Sequence, residues 1–340
     1  MIDVDGSFGE GGGQLVRTAV ALSAITGTGV RLQNVRAKRD KPGLAPQHLA
    51  AVRAVASLCG AACTDLELRS QAFSFAPGAL RGREFRFDVG TAGSVTLVLQ
   101  ALLPVVVCAP GRSRVTVVGG TDVRAAPPLD YLRHVLLPLL DRMGVGVECR
   151  VARRGYYPRG GGEVEVAATP ARPRPLAPDA SEPPRRIDGL AHVANLPAHI
   201  AERMRAAALA RLNTLPAQVD TAILGGAEAV GQGGAIVVWA QTGRTLLGAG
   251  RVAQRGVRAE TLGDEAGAEL AADLAAGVAL DIHAADQVLV YLALAGGGSF
   301  TTRVVTSHAR TAMWLIEQFL PVRFEVGTTG SLARVEVRER

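Results

Sequence analysis

GTAGSVTLVLQALLPVVVCAPGRSRVTVVG, residues 90–119, carries the pattern that decides the fold. A glycine-bearing turn opens an apolar run of helical length, Pro110-Gly111 ends it, and a β-branched strand follows. The same order returns in GEGGGQLVRTAVALSAITGTGVRLQNV (9–35) and in PPLDYLRHVLLPLLDRMGVGVECRV (127–151), which GGGEVEVAA (160–168) extends by one strand. TSHARTAMWLIEQFLPVRFEVGTTGSLARVEV (306–337) closes the series with helix, strand, turn and strand. Such helix-plus-sheet units each need neighbours to bury an apolar face, so they predict one large domain of mixed α and β structure.

Residues 169–186, TPARPRPLAPDASEPPRR, interrupt the series. Six prolines with almost no apolar period read as an exposed, stiff linker. Beyond it, 192–212 reads as strand and helix, 235–241 and 245–250 as strands, and 259–280 as a helix. The chain therefore divides into a discontinuous large domain, 1–184 and 278–340, and a small inserted α+β domain, 185–277.

Composition narrows the chemistry. At 340 residues and 48% apolar, the chain is long enough for a large core. No apolar run has the length of a membrane span and no leader opens it, so no membrane and a cytoplasmic setting are expected. Cys59 and Cys63 lack the second pair or histidine of a zinc site, which favours reduced thiols. A net charge of +6 suggests an anionic partner. Of the 37 basic residues only Lys38 and Lys41 are lysine, neither in a K-x-D-G setting, and no P-loop is present. Any nucleotide chemistry needs another device.

Several stretches offer one. GEGGGQ (9–14) before a helix is either a structural turn or an anion site. Glu10 among its glycines suits a hard cation that bridges phosphates, and Arg17 lies on the same helical face as Gln14. RAKRDKPGLAPQH (36–48) is a solvated basic loop or, if Arg17 lies nearby, part of a phosphate cleft. At 4% aromatic the chain has few plates for stacked bases, so a terminal phosphate is the better target than a long strand. Gln100, polar within an apolar helix, needs a partner such as an adenine edge or a backbone group. HAADQ (283–287) reads as a junction between an alanine-rich helix and an apolar strand, VLVYLALAG. Asp286 there is a helix cap, a surface turn or a functional carboxylate. His308, with Ser307 as a candidate N-cap, falls in the first turn of the last helix. There the positive helix end keeps an imidazole neutral, as a nucleophile must be.

Together GEGGGQLVR, RAKRDKPGLAPQHL, GTAGSVTLVLQALLP, GGTDVRAAPP, RRGYYPRGGGEV, DQVLVYLALAGGGSF and SHARTAMWLIEQFLPVRF resemble the RNA 3'-terminal phosphate cyclase family, in order from residue 9 to 324. The resemblance implies repeated βαβαββ units, as in a translation initiation factor domain and the enolpyruvate transferases, with a small inserted domain. It implies an ATP-dependent enzyme that converts an RNA 3'-phosphate to a 2',3'-cyclic phosphate through a histidine–AMP and an RNA-(3')pp(5')A intermediate. By position, His308 is the implied nucleophile, Asp286 orients it, and Glu10 binds a divalent metal, Mg2+ or Mn2+. Arg17, Arg36, Arg39 and Gln47 hold phosphates. Gln100, Pro127 and the segment His283, Ala284, Ala285, Asp286 and Gln287 line the ATP pocket. His283 stands where the family often has a tyrosine. RNA with a 3'-terminal phosphate is the expected partner, and a homodimer is left open. The competing readings are a catalytically silent relative acting as a binding factor, against which the presence of His308 speaks, and an enolpyruvate transferase.

Overall fold

The computed structural model describes residues 1–178, 183–184 and 186–340. The first sheet is built from β1 (Ile2–Asp5), β2 (Val30–Gln33), β3 (Ala62–Thr64) and β4 (Phe73–Ala76) in the order β1-β2-β4-β3. Two helices, α1 (Gly13–Thr26) and α2 (Pro46–Cys59), interleave with these strands. β1 and β2 are parallel, with Ile2 opposite Val30, and the other pairs are antiparallel. The second sheet uses β5 (Glu84–Asp88), β6 (Ser113–Gly119), β7 (Val147–Gly155) and β8 (Gly162–Ala168) in the order β5-β6-β8-β7. Between them run α3 (Val95–Cys108) and a second helical stretch: α4 (Leu129–Tyr131), a π turn (Leu132–Leu136) and α5 (Leu137–Arg142). The helix-led stretches that the sequence displays singly therefore fall two to a sheet.

A separate four-stranded sheet follows. It contains β9 (Ile187–Ala194), β10 (Ala217–Leu224), β12 (Gly233–Gln241) and β13 (Leu246–Val252), in the order β10-β9-β12-β13, while the short β11 (Ala229–Val230) pairs with β7. Helices α6 (Ala198–Arg211) and α7 (Ala259–Ala276) cover it and share its own apolar core, which includes Ile187, Met204, Ile236 and Leu270. The chain ends with α8 (Ile282–Leu294), β14 (Gly297–Thr302), α9 (Ser307–Phe319), β15 (Val322–Thr329) and β16 (Leu332–Glu339), the strands in the order β14-β16-β15. Helices α1, α2, α3 and α9 meet in the middle of the large core. Nearly all of α3 is buried, as expected of a helix that is apolar all round. Among the described residues no helix is long and apolar enough to cross a membrane, and the four cysteines are free.

Two expectations fail. VLVYLALAG is not a strand: its first seven residues, 288–294, lie in α8, a helix that Asp281 caps by accepting from His283 N and Ala284 N, both at 2.9 Å. A short apolar run without polar alternation has no period to tell helix from strand. The proline-rich linker is also not simply exposed. Residues 179–182 and 185, with the proposed boundary at 184/185, lie outside the described residues. Of the rest, Pro173, Leu176 and Pro178 are buried, and Leu176 O accepts from Ser299 N at 2.8 Å.

A buried polar knot ties the separate sheet to the second unit. Arg154 of β7 donates to Asp122 Oδ2 (3.1 Å) and to both oxygens of Asp130 (2.7 and 2.8 Å). His192 of β9 sits against the same carboxylates at 3.6 and 3.4 Å, and its Nε2 is 2.9 Å from Tyr156 Oη. Burial opposes the charge on Asp130, yet His192 and Arg154 hold its pKa well below the carboxylate range. Asp122 Oδ1 also accepts from Leu129 N at 3.1 Å, so the knot fixes the loop carrying Arg124 and Pro127. Arg154→Ala would leave two buried carboxylates with only His192 and, for Asp130, the half-exposed Arg133 at 3.2 Å. Urea unfolding should show a loss of about 3–5 kcal/mol, and a loss below about 1 kcal/mol would contradict this account of the knot.

Candidate active site

One cleft of about 630 Å³ opens where α1, α2, α8, α9 and β13 converge. Its floor begins with the glycine-rich loop. Gly9 has φ 58°, and an added Cβ there would lie 2.3 Å from Thr311 Oγ1 of α9, so only glycine lets the loop meet that helix. Phe8 stacks on Trp314 of α9 with ring centroids 3.8 Å apart. These contacts place Glu10 beside His308, whose Nδ1 is 2.6 Å from Glu10 Oε2. The other oxygen, Oε1, is paired with Arg39. Oε2 is buried and accepts no hydrogen bond, with the His308 ring beside it.

His308 is the second residue of α9. Its helix is capped by Thr306 rather than by the expected Ser307: Thr306 Oγ1 accepts from Ala309 N at 2.9 Å. The same hydroxyl donates to Asp286 Oδ1 at 2.7 Å. Asp286 therefore reaches His308 through the cap that orients α9. Burial, helped by Asp281 and Glu10, pushes Asp286 up to about 6. Burial lowers the pKa of His308; Glu10 opposes the shift, whereas Arg17 and Arg39 reinforce it. The half-exposed ring is thus neutral at pH 7, for reasons that go beyond the helix end.

Arg17 is the unusual group. It lies on α1, only 9% exposed, with no carboxylate partner among the described residues, and burial alone pushes it down to about 10. A buried cation facing a cleft without a counter-ion calls for an anionic ligand. Next to it, His48 packs so closely on Gly13 that a Cβ there would be 2.0 Å from His48 Nε2. His48 Nδ1 accepts from Ala45 N at 3.2 Å and closes the start of α2. Burial, with Arg17 and Arg36, pushes its pKa down to about 3, so His48 stays neutral.

The basic loop contributes unequally. Arg39 and Gln47 line the cleft. Arg36 lines it too, but its Nη1 donates to the carbonyls of Lys41 (2.8 Å) and Gly43 (2.9 Å) and so braces the loop. On the opposite wall Gln100 Nε2 donates to Gln287 Oε1 at 2.8 Å, and Gln287 Nε2 donates to His283 O at 3.1 Å. Gln100 Nε2 therefore has a side-chain partner rather than the backbone group weighed from sequence. Pro127 and His283 line the same wall. Ala284 and Ala285 do not: their side chains are buried in the core because α8 turns that face inward.

The sequence passed over several groups. His48, Arg124, Tyr131, Arg251 and Gln254 also line the cleft. Asp286 is not the only carboxylate at its junction. Asp281, fully buried, accepts from Tyr131 Oη (2.7 Å), from Gly248 N of β13 (3.0 Å) and from the first amides of α8. An aspartate ahead of a helical run was the visible signal for that cap.

Replacing Arg17 by Met removes a desolvated charge and keeps its bulk. Arg17→Met should raise the unfolding free energy by about 1–3 kcal/mol and weaken binding of a phosphate-bearing ligand at least about tenfold. A destabilised variant, or one that binds phosphates as wild type does, would contradict an anion site at Arg17.

Comparison with known proteins gives a consistent picture. The family model described as RNA 3'-terminal phosphate cyclase matches residues 8–326. An RNA 3'-terminal phosphate cyclase of Nitrosospira multiformis is 55% identical over 99% of this chain and 97% of its own. Proteins of the same description from Ignicoccus hospitalis (45%, covering 98% of this chain and 96% of the relative) and Methanopyrus kandleri (44%, covering 99% of each) are similar throughout. A solved enolpyruvyl transferase from Streptomyces tendae aligns at 16% identity with TM-score 0.27, over 62% of this chain and 38% of that one, too little to carry an argument. With a match that spans nearly the whole chain and relatives covered almost end to end, this chain belongs to the RNA 3'-terminal phosphate cyclase family.

Proposed function

We propose that the cleft activates an RNA 3'-phosphate with ATP and closes it to a 2',3'-cyclic phosphate. One observation carries the reading: a neutral histidine, His308, shares a cleft with Arg17, a buried cation that has no carboxylate partner among the described residues. His308 Nδ1 lies 2.6 Å from the Glu10 carboxylate, and Nε2 is the ring nitrogen that attacks. Attack on the α-phosphorus of ATP forms an N–P bond, breaks the α,β-anhydride and releases pyrophosphate. An oxygen of the RNA 3'-phosphate then displaces the imidazole and takes the AMP. Finally the vicinal 2'-hydroxyl attacks the activated 3'-phosphorus, AMP leaves, and the hydroxyl proton passes to solvent.

The remaining roles follow from placement. Arg17 and Arg39 hold phosphate oxygens, Gln47 adds a neutral donor, and Arg36 keeps their loop in shape. The base lies against the wall formed by Gln100, Gln287, His283 and Pro127. Asp286 positions His308 through Thr306. Glu10, with its unsatisfied buried oxygen, is the residue that would hold a divalent cation such as Mg2+ or Mn2+. Among the described residues no cluster of three or more His, Cys, Asp or Glu stands ready for a metal, so phosphate oxygens and water would supply its other ligands. Such an ion neutralises charge on the leaving phosphates. Residues 1–184 with 278–340 form the catalytic part, built on βαβαββ repeats, and 185–277 form the insert.

An RNA oligonucleotide ending in a 3'-phosphate, incubated with the protein, ATP and Mg2+, should become resistant to phosphatase while AMP and pyrophosphate are released in equal amounts. An end that stays phosphatase-sensitive would contradict the proposed activity.

A further inference from the structure

His283 does not stand alone on the cleft wall. Its Nε2 is 3.1 Å from Glu269 Oε1, and Glu269 comes from α7, which covers the separate sheet. Glu269 is nearly buried and is itself clamped: Arg251 of β13 donates to Glu269 Oε2 at 2.7 Å and to Glu265 Oε2 at 2.9 Å. Arg251 also lines the cleft. From the other side the Tyr131 ring meets His283 edge-on, at 6.0 Å and 83°. The imidazole thus sits between groups from two elements outside its own helix, α7 and α4, and Arg251 of β13 braces the first of them.

We propose that Glu269 is a positioning residue that holds His283 as a charged plate for the nucleotide base, so that residues of the insert set nucleotide affinity. The inference rests on the reading that His283 lines the ATP pocket. A cation over a π face attracts it, and a ring locked by a carboxylate loses little freedom when a base stacks on it. A tyrosine at this position stacks without needing a charge partner, whereas a histidine needs one to stay cationic near pH 7.

Titratable groups face His283 from several elements. Glu269 and, behind it, Arg251 lie toward the insert; Asp281 and Asp286 share its helix; Tyr131 comes from α4; and His308 lies across the cleft. Burial works against protonation, but Glu269, Asp281 and Asp286 outweigh it and raise the His283 pKa. The cationic form is therefore present below that raised value and is lost as pH climbs through it.

The test uses the full chain in four forms: wild type, Glu269→Gln, His283→Tyr and the double variant. Each is measured by isothermal titration of ATP with Mg2+ between pH 6 and 8.5, alongside transfer of labelled AMP to the protein. The amide oxygen of Glu269→Gln can still accept from Arg251, and thermal unfolding identifies any variant that fails to fold. At pH 7, Glu269→Gln should weaken ATP binding about tenfold in wild type but less than about twofold in the His283→Tyr background. Wild-type affinity should decline with rising pH, Glu269→Gln should move that decline to lower pH, and His283→Tyr should remove this component. Equal losses in both backgrounds, or no loss in wild type, would overturn the proposal. If ATP binding depends on Glu269 as expected while no AMP is transferred, the pair stands and the reaction under Proposed function fails.

Discussion

A buried guanidinium with no counter-ion among the described residues is the constraint around which this cleft is arranged. Arg17 is placed on α1, amid packed helices, where desolvation costs several kcal/mol unless something repays it. Its field reaches both nearby histidines. It helps to keep His48 neutral, so that His48 accepts a hydrogen bond from Ala45 and shapes the start of α2. It also helps to keep His308 neutral against the pull of Glu10. A phosphate at this place would discharge the strain, and the groups that would act on that phosphate already face it.

Around that centre, three carboxylates act mainly on geometry. Asp281 joins α4, β13 and α8 through four hydrogen bonds, and Asp286 holds the cap of α9. Asp122, within the Arg154 knot, fixes the loop that carries Pro127. None of the three bonds to His308, yet each sets where a wall of the cleft stands. Ionic groups in dry surroundings suit this task, because their bonds are directional and any displacement leaves a charge unpaired.

Much of this was legible in the sequence, for identifiable reasons. Glycine turns, helical spacing and β-branched runs repeat along the chain, so the mixed helix-and-strand character was readable from 90–119 outward. Glu10 and Gln100 stood out as polar residues among glycines and in an apolar helix, Arg17 by the helical face it shares with Gln14, and His308 by its place at a helix start; the structure brings all four into one cleft. Residues 288–296 were misread as a strand, since an apolar run carries no period of its own. His48, Arg251 and Glu269 were missed for a different reason. Their meaning lies in partners on other elements: Gly13 beneath His48, and His283 beside Glu269. Local spacing holds no trace of such pairs. Arg36 shows the reverse case, a residue in a basic run whose guanidinium is largely spent on its own loop.

The central claim is that His308, and no other side chain, carries the nucleotide. The most direct measurement is peptide mass spectrometry of the protein after brief exposure to ATP and Mg2+, with and without acid treatment. The account predicts one AMP adduct, confined to the peptide containing His308 and lost in acid, as a phosphoramidate would be. An adduct on the peptide carrying Lys38 and Lys41, on any other peptide without His308, or one that survives acid, would contradict it.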